Sequence, residues 1–191
     1  MKFIPQKIPD VILIEPKVHG DDRGYFVETF RQDLFEEAAG YKVKFIQDNE
    51  SKSSKGVLRG LHFQLPPFAQ SKLVRVIEGE VLDVAVDIRK GSPTFSQHVS
   101  VNLSGENKRQ LFIPRGFAHG FVVLSESAIF SYKVDNYYSA ESDRGLAFDD
   151  KTIDINWQLS KEQLQLSEKD LNQPDIDNLD KYFEYGLNYY D

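Results

Sequence analysis

No cysteine occurs among the 191 residues. Disulfides, thiolate nucleophiles and thiolate-held metals are thereby excluded. Long apolar runs are also missing, and no stretch approaches the ~18 residues of a membrane span. The opening Met1-Lys2-Phe3-Ile4-Pro5 has neither an apolar run nor a small-residue cleavage site, so no signal peptide is expected. These absences lead to the expectation of a soluble, cytoplasmic chain. A positive balance is absent too. The net charge of −7 argues against a general nucleic-acid binder. Internal repeats, linkers and low-complexity tracts are not found.

What is present is an ordinary globular composition, 40% hydrophobic and 28% charged, expected to fold as one domain over residues 1–191. Aromatics reach 13%, with 14 Phe and 9 Tyr, which need an apolar interior, a subunit face or a flat ligand to cover them. The tail rings Tyr182, Phe183, Tyr185, Tyr189 and Tyr190 would cover an apolar patch or a partner subunit. Charge is unevenly distributed. Between Lys42 and Arg75 seven basic side chains face two acidic ones, whereas Ser160 to Asp191 carries three basic and eight acidic ones. A cationic window in an acidic chain suits an anionic small molecule. A solvated basic face is the plain alternative.

Helix signals are few. Arg31 to Ala39 reads as a short helix stopped by Gly40, and Ser160 to Leu166 carries a capping-box pattern with Gln163. The middle reads as strands. Lys72–Ile77 and Glu80–Ile88 alternate around Glu78-Gly79-Glu80, which predicts a hairpin. Further strands are expected at Ser96–Leu103, Gln110–Ile113, His119–Leu124 and Ala128–Val134, separated by Gly- and Pro-containing turns. The spacing indicates a mainly β fold, an antiparallel sandwich or barrel able to enclose a ligand.

Pro114-Arg115-Gly116-Phe117-Ala118-His119-Gly120 fits the Pro-x-Gly-x-x-His pattern of cupin jelly rolls. His62 stands where a His-x-His metal motif would begin, but Phe63 and Gln64 follow it, so the second ligand is missing. Several further stretches agree in order with one branch of that superfamily. They are Gly20-Asp21-Asp22-Arg23-Gly24-Tyr25-Phe26, Gln47-Asp48-Asn49-Glu50-Ser51, Gly56-Val57-Leu58-Arg59-Gly60-Leu61-His62-Phe63-Gln64, Tyr132 to Tyr138, and Ser167-Glu168-Lys169-Asp170. Over nearly its whole length the chain resembles the dTDP-4-dehydrorhamnose 3,5-epimerase family.

The resemblance implies a cupin-type antiparallel jelly roll with a few short helices, the C-terminal ones packed outside. It implies epimerisation at C3 and C5 of dTDP-4-dehydro-6-deoxy-D-glucose, without cofactor or metal, in dTDP-L-rhamnose biosynthesis. Epimerisation of a related 4-keto sugar at one carbon is the alternative. Inversion needs a base, an acid on the opposite face and a group that stabilises the enolate between them. By resemblance His62 is the base, Asp170 orients it, Tyr132 is the acid and Lys72 holds the enolate oxygen. Arg23, Glu28, Gln47, Asp48, Asn49 and Arg59 would bind the substrate, together with His119, Tyr138, Asp143 and Lys169. Asp143 falls where the family is expected to carry a glutamate. A homodimer sharing nucleotide contacts is implied, with no membrane or nucleic-acid partner. A lone histidine, lysine or strand tyrosine is otherwise a common structural residue, so the roles rest on the ordered set.

Overall fold

The computed structural model describes residues 1–179 and 183–190. Two short strands, β1 (Lys2–Pro5) and β2 (Ile12–Glu15), open the chain. The hairpin β3 (Val18–Asp21) and β4 (Gly24–Val27) follows, then helix α1 (Gln32–Ala39). Strands β5 (Gln47–Ser54), β6 (Leu58–Gln64), β7 (Lys72–Glu78), β8 (Glu80–Asp87) and β9 (Arg89–Lys90) come next. They lead to β10 (His98–Ser104), β11 (Gln110–Ile113), β12 (Phe117–Val123), β13 (Ser127–Val134) and β14 (Asp143–Gly145). The C-terminal part holds helix α2 (Glu168–Leu171), single 3-10 turns at Lys161–Gln163 and Ile176–Asn178, and the short β15 (Phe183–Glu184). Tyr182, one of the rings expected to cover a patch, lies outside the described residues.

The strands form two main antiparallel sheets facing each other as a jelly roll. One runs β1-β2-β11-β7-β13-β5 and the other β10-β8-β12-β6-β14. Because side chains alternate along a strand, each sheet has an inner and an outer column. In β8 Val81 and Ala85 point inward to meet Val74, Val76, Leu111, Phe121 and Phe130 from both sheets. Leu82, Val84 and Val86 point outward and are covered by Phe148, Trp157, Ile176 and Phe183 from the C-terminal part. The outer face of the larger sheet is covered by Phe35 of α1 and by Val43, over Ile12, Leu73 and Phe112. The short C-terminal elements thus pack outside the sandwich, as expected.

Helix α1 ends as its sequence predicts, at Gly40 in the left-handed conformation, with its N–H bonded to Glu36 O at 2.9 Å. The Ser160–Gln163 box forms, Ser160 N–H donating to Gln163 Oε1 at 3.0 Å, but it caps only one 3-10 turn. The expected hairpin at Gly79 does not form. β7 pairs with β11 and β13, and β8 pairs with β10 and β12. Gly79 is the point where the chain leaves one sheet for the other. Alternation marks both strands, but it does not say which neighbour each will take.

The crossing leaves no room for a side chain. Gly79 has φ +82°, and a Cβ there would lie 2.1 Å from Ser127 O and 2.9 Å from Ala128 Cα. Gly79→Ala is therefore expected to lower stability by at least the ~1–3 kcal/mol of a strained backbone position. Urea unfolding checks this, and an unchanged midpoint would show that the crossing tolerates a side chain.

Candidate active site

The inner columns change character along the sandwich. On β7 they read Lys72, Val74, Val76, and on β13 Tyr132, Phe130, Ala128. At one end the space between the sheets is filled by apolar packing. At the other it opens into a cavity of about 510 Å³ lined by His62, Lys72, His119, Tyr132 and Asp170, with Arg59 and Lys169 at its walls. A second hollow of about 280 Å³ adjoins it and shares His62, Lys72 and Tyr132. Gln47, Asn49, Tyr138 and Asp143 line this second space. The Phe121 and Phe130 rings stack at 4.0 Å and form the apolar floor of the larger one.

His62 belongs to β6 of the smaller sheet, whereas Tyr132 and Lys72 belong to the larger sheet. They therefore look at the cavity from opposite walls. β6 is brought close to β12 by Gly60 and Gly120. A Cβ on Gly60 would stand 2.6 Å from Gly120 Cα, and the register shifts between His119 and Phe121. That irregularity sets His62 opposite His119 in the pairing.

His62 Nε2 lies 2.5 Å from Asp170 Oδ1. Asp170 is nearly buried, on the short helix α2, and its own N–H bonds Ser167 Oγ at 3.2 Å. Burial pushes the Asp170 carboxyl up. The hydrogen bond and charge of His62, with the Ser167 bond, outweigh that and hold it below the usual carboxylate range. An ionised carboxylate only accepts, so Nε2 of His62 donates to it, and in the neutral ring the free lone pair is then on Nδ1. A second pair lies deeper. His119 Nε2 is 2.9 and 3.0 Å from the two oxygens of Asp83. Burial lowers the His119 pKa, helped by the charges of Lys72 and His62 and opposed by Asp83. Lys72 is pushed down to about 8 by burial, against the pull of Asp143 and Asp83. Its Nζ lies 3.5 Å from His62 O. Burial raises the Tyr132 phenol, with Arg59 opposing, so it stays protonated at neutral pH.

The remaining expected residues divide by strand face. Cα pairing sets Asn49 beside Tyr132 and Asp48 beside Lys133. Gln47 and Asn49 share the inner column, where Gln47 Nε2 donates to Asn49 Oδ1 at 2.8 Å. Asp48 is on the outer column, its Oδ1 2.8 Å from Lys133 Nζ. Arg59 donates to Ser53 Oγ at 3.1 Å. The Tyr138 hydroxyl donates to Asp143 Oδ2 at 3.0 Å, and Lys169 also pairs with that carboxylate. Arg23 and Glu28 reach neither hollow of their own chain. Among the described residues β3 and β4 pair only with each other, and the Arg23 side chain is 90% exposed with its guanidinium on Asp21. Asp83 was not among the expected residues. Its one signal is a carboxylate on the inward column of the otherwise apolar Val81–Val86 run.

The sequence profile of the dTDP-4-dehydrorhamnose 3,5-epimerase family matches residues 5–178. The chain belongs to this family. It is 61% identical over 172 residues to the dTDP-4-dehydrorhamnose 3,5-epimerase of Shigella flexneri, covering 90% of this chain and 94% of that one. The fold superposes with a TM-score of 0.93 on the dTDP-6-deoxy-D-glucose-3,5-epimerase of Legionella pneumophila, solved in complex with dTDP-4-keto-L-rhamnose. That pair is 49% identical, covering 97% of this chain and 99% of the other. A 3'-monoepimerase from Streptomyces bikiniensis, solved with dTDP-quinovose, is 30% identical with a TM-score of 0.83, covering 91% and 87% of the two chains. The family is one of cupin jelly rolls, so the expected fold class holds.

The lowered His119 pKa has a consequence for stability. Unfolded, the ring takes its proton near 6.5; folded, it takes it only at lower pH. Its contribution is therefore fully present above 6.5 and declines as pH falls through that value. His98, also lowered by burial, has the same sign. His119→Gln should flatten the slope of unfolding free energy against pH just below 6.5, by up to ~1.4 kcal/mol per pH unit. Urea midpoints across that range test it, and parallel slopes for both proteins would contradict a neutral buried His119.

Proposed function

We propose that the chain epimerises dTDP-4-dehydro-6-deoxy-D-glucose at C3 and C5, giving dTDP-4-dehydro-L-rhamnose on the route to dTDP-L-rhamnose. The observation that carries this reading is the placement of a histidine–carboxylate pair and a protonated phenol on opposite walls of one cavity, with an amine beside them. The C4 ketone acidifies the hydrogens on C3 and C5. His62 Nδ1 removes one of these protons, and Asp170 stabilises the imidazolium that results. The electron pair moves onto the C4 oxygen, where the Lys72 ammonium meets it. A compact cation in a dry site is a strong partner for a localised oxyanion. The Tyr132 hydroxyl then donates its proton to the opposite face of the carbon, and the configuration inverts. Exchange with solvent returns His62 to its neutral form and Tyr132 to its phenol. Only protons move, so the sequence of steps needs no cofactor.

His119, held by Asp83 through Nε2, lines the cavity and would help hold the sugar there. Arg59 lies beside the base and suits the diphosphate, because a guanidinium can engage two oxygens at once. Gln47, Asn49, Tyr138, Asp143 and Lys169 flank the path of the nucleotide. Asp143 is a shorter carboxylate than the glutamate expected there, and it is already engaged by Tyr138 and Lys169.

Arg23 and Glu28 are assigned to the nucleotide site of a second copy. Their hairpin exposes Tyr25 at 60% and Phe26 at 69%, aromatic area that a homodimer would cover. Equilibrium sedimentation should give twice the 22.0 kDa of one chain, and a monomer at working concentration would remove this assignment. Among the described residues no helix is long and apolar enough to cross a membrane. Nucleotide-activated sugars are cytoplasmic metabolites, and the same reading puts the chain in the cytoplasm.

Turnover in D2O tests the reaction. Deuterium should enter both C3 and C5, and His62→Asn should lose activity by ~10²–10⁴-fold. Absence of label at both carbons would defeat the reading. Label at C3 alone would make the chain a single-carbon epimerase.

A further inference from the structure

Strand alternation turns Lys72 toward the cavity and its two neighbours, Ser71 and Leu73, away from it. On that outer side one side chain from the C-terminal segment meets Ser71 and the apolar cluster to which Leu73 belongs. The Tyr190 hydroxyl lies 2.8 Å from Ser71 Oγ. Its ring packs on the apolar cluster that contains Leu73, Phe35 and Phe112. The same hydroxyl accepts the Arg115 backbone N–H at 3.1 Å and sits 3.3 Å from Tyr41 Oη. The Arg115 guanidinium lies 5.0 Å from the Tyr190 ring centroid, and its Nε donates to Asp135 Oδ2 at 3.1 Å. Asp135 closes the circuit by accepting the Ser71 N–H at 2.6 Å.

These four residues, Tyr190, Ser71, Asp135 and Arg115, tie together the start of β7 and the end of β13. Those are the strand ends that carry Lys72 and Tyr132. None of the four lines either hollow. Asp135 and Arg115 are nearly buried, and an ion pair of this kind keeps its geometry only while its hydrogen bonds are complete. Arg115 comes from the Pro114–Gly120 stretch, and Tyr190 lies beyond residues 5–178 that the family profile matches.

We propose that Tyr190 is a positioning residue. From outside the sandwich it fixes the Ser71–Leu73 backbone and so sets the Lys72 amine where the C4 enolate oxygen forms. Lys72 is the first residue of its strand, paired with Ile113 and Val134 where the ladder ends. A lysine there reaches its target through a long flexible stem, so its aim depends on where the Cα is held. Misplacement by ~1 Å of a group that meets the transition state can cost up to ~10²-fold in rate.

The proposal rests on the epimerase reading, and its test includes one measurement independent of turnover. Tyr190→Phe keeps the ring and removes the hydroxyl; Ser71→Ala removes the same bond from the other side. Each should lower kcat by about tenfold with KM within about twofold. Tyr185→Ala, in the same tail and 51% exposed, should leave kcat unchanged. Competitive acetylation of Lys72 with acetic anhydride, followed against pH by mass spectrometry, reports its titration without substrate. In the wild type it should titrate at about 8, and in Tyr190→Phe and Ser71→Ala it should move up toward 10.5 as the loosened amine gains water. Unchanged kcat or unchanged Lys72 titration in these variants overturns the proposal, as does an equal loss in Tyr185→Ala. A wild type that fails to place deuterium in substrate while the Lys72 titration still responds to Tyr190 would sink the reaction and leave the positioning contact standing.

Discussion

The hydrogen bond between His62 Nε2 and Asp170 Oδ1 joins a strand of the smaller sheet to a single turn of helix 108 residues later. It fixes three things at once. It orients the imidazole, it selects the ring nitrogen left free, and it pins α2 across the mouth of the cavity. Burial pushes the Asp170 carboxyl up, and the hydrogen bond and charge of His62, with the Ser167 bond and the Lys169 charge, hold it below the usual carboxylate range. Lys169, next in the chain, is thereby brought to the cavity wall and onto Asp143, whose charge in turn acts on Lys72. Loss of that one bond would loosen the anchor of α2 as well as the base.

Two facing sheets supply what one surface cannot. Inversion at carbon needs proton traffic on both sides of the reacting plane, and a sandwich puts side chains on both walls by strand alternation alone. The polar groups are concentrated at one end of the inner columns, while the other end is close-packed with Val, Leu and Phe. Buried polar groups are costly unless paired. His62 and His119 each meet a carboxylate, and among the described residues no buried side-chain nitrogen or oxygen lacks a partner. Burial penalises the charge of Lys72, which is pushed down to about 8 against the pull of two carboxylates. A cation poorly compensated in the free protein gains the most when an oxyanion forms beside it.

How much of this could be read in the sequence depends on the range of the interaction. Helix α1 and its glycine stop were legible because both are local, and so were the spans of β7, β8, β11 and β13. The pairing of β7 and β8 was not, because alternation specifies a face and says nothing about a neighbour. Gly79 carries the same residue signal whether it turns a hairpin or carries the chain between sheets. Gln47, Asp48 and Asn49 adjoin in sequence, yet strand alternation puts Asp48 on the outer column, away from the other two. His62 and Asp170 were joined only through the family pattern, since nothing local links residues so far apart. Asp83 escaped because an acid within an apolar strand looks like an interruption until its partner His119 is in view.

The aromatic richness of the chain also divides by position. The stacked Phe121 and Phe130 rings form an apolar floor under the reacting groups, and Tyr132 continues the same column. Apolar surface screens neighbouring charges less than water does, so interactions above it are stronger. Phe183 and Tyr189 meet edge to face at 4.9 Å over the outer side of the smaller sheet. Tyr190 instead turns to the larger sheet, where its hydroxyl joins the Arg115–Asp135 pair. The C-terminal segment therefore touches the outside of both walls whose inner sides hold the base and the acid. Rigidity at the cavity is set as much by this outer packing as by the residues that line it.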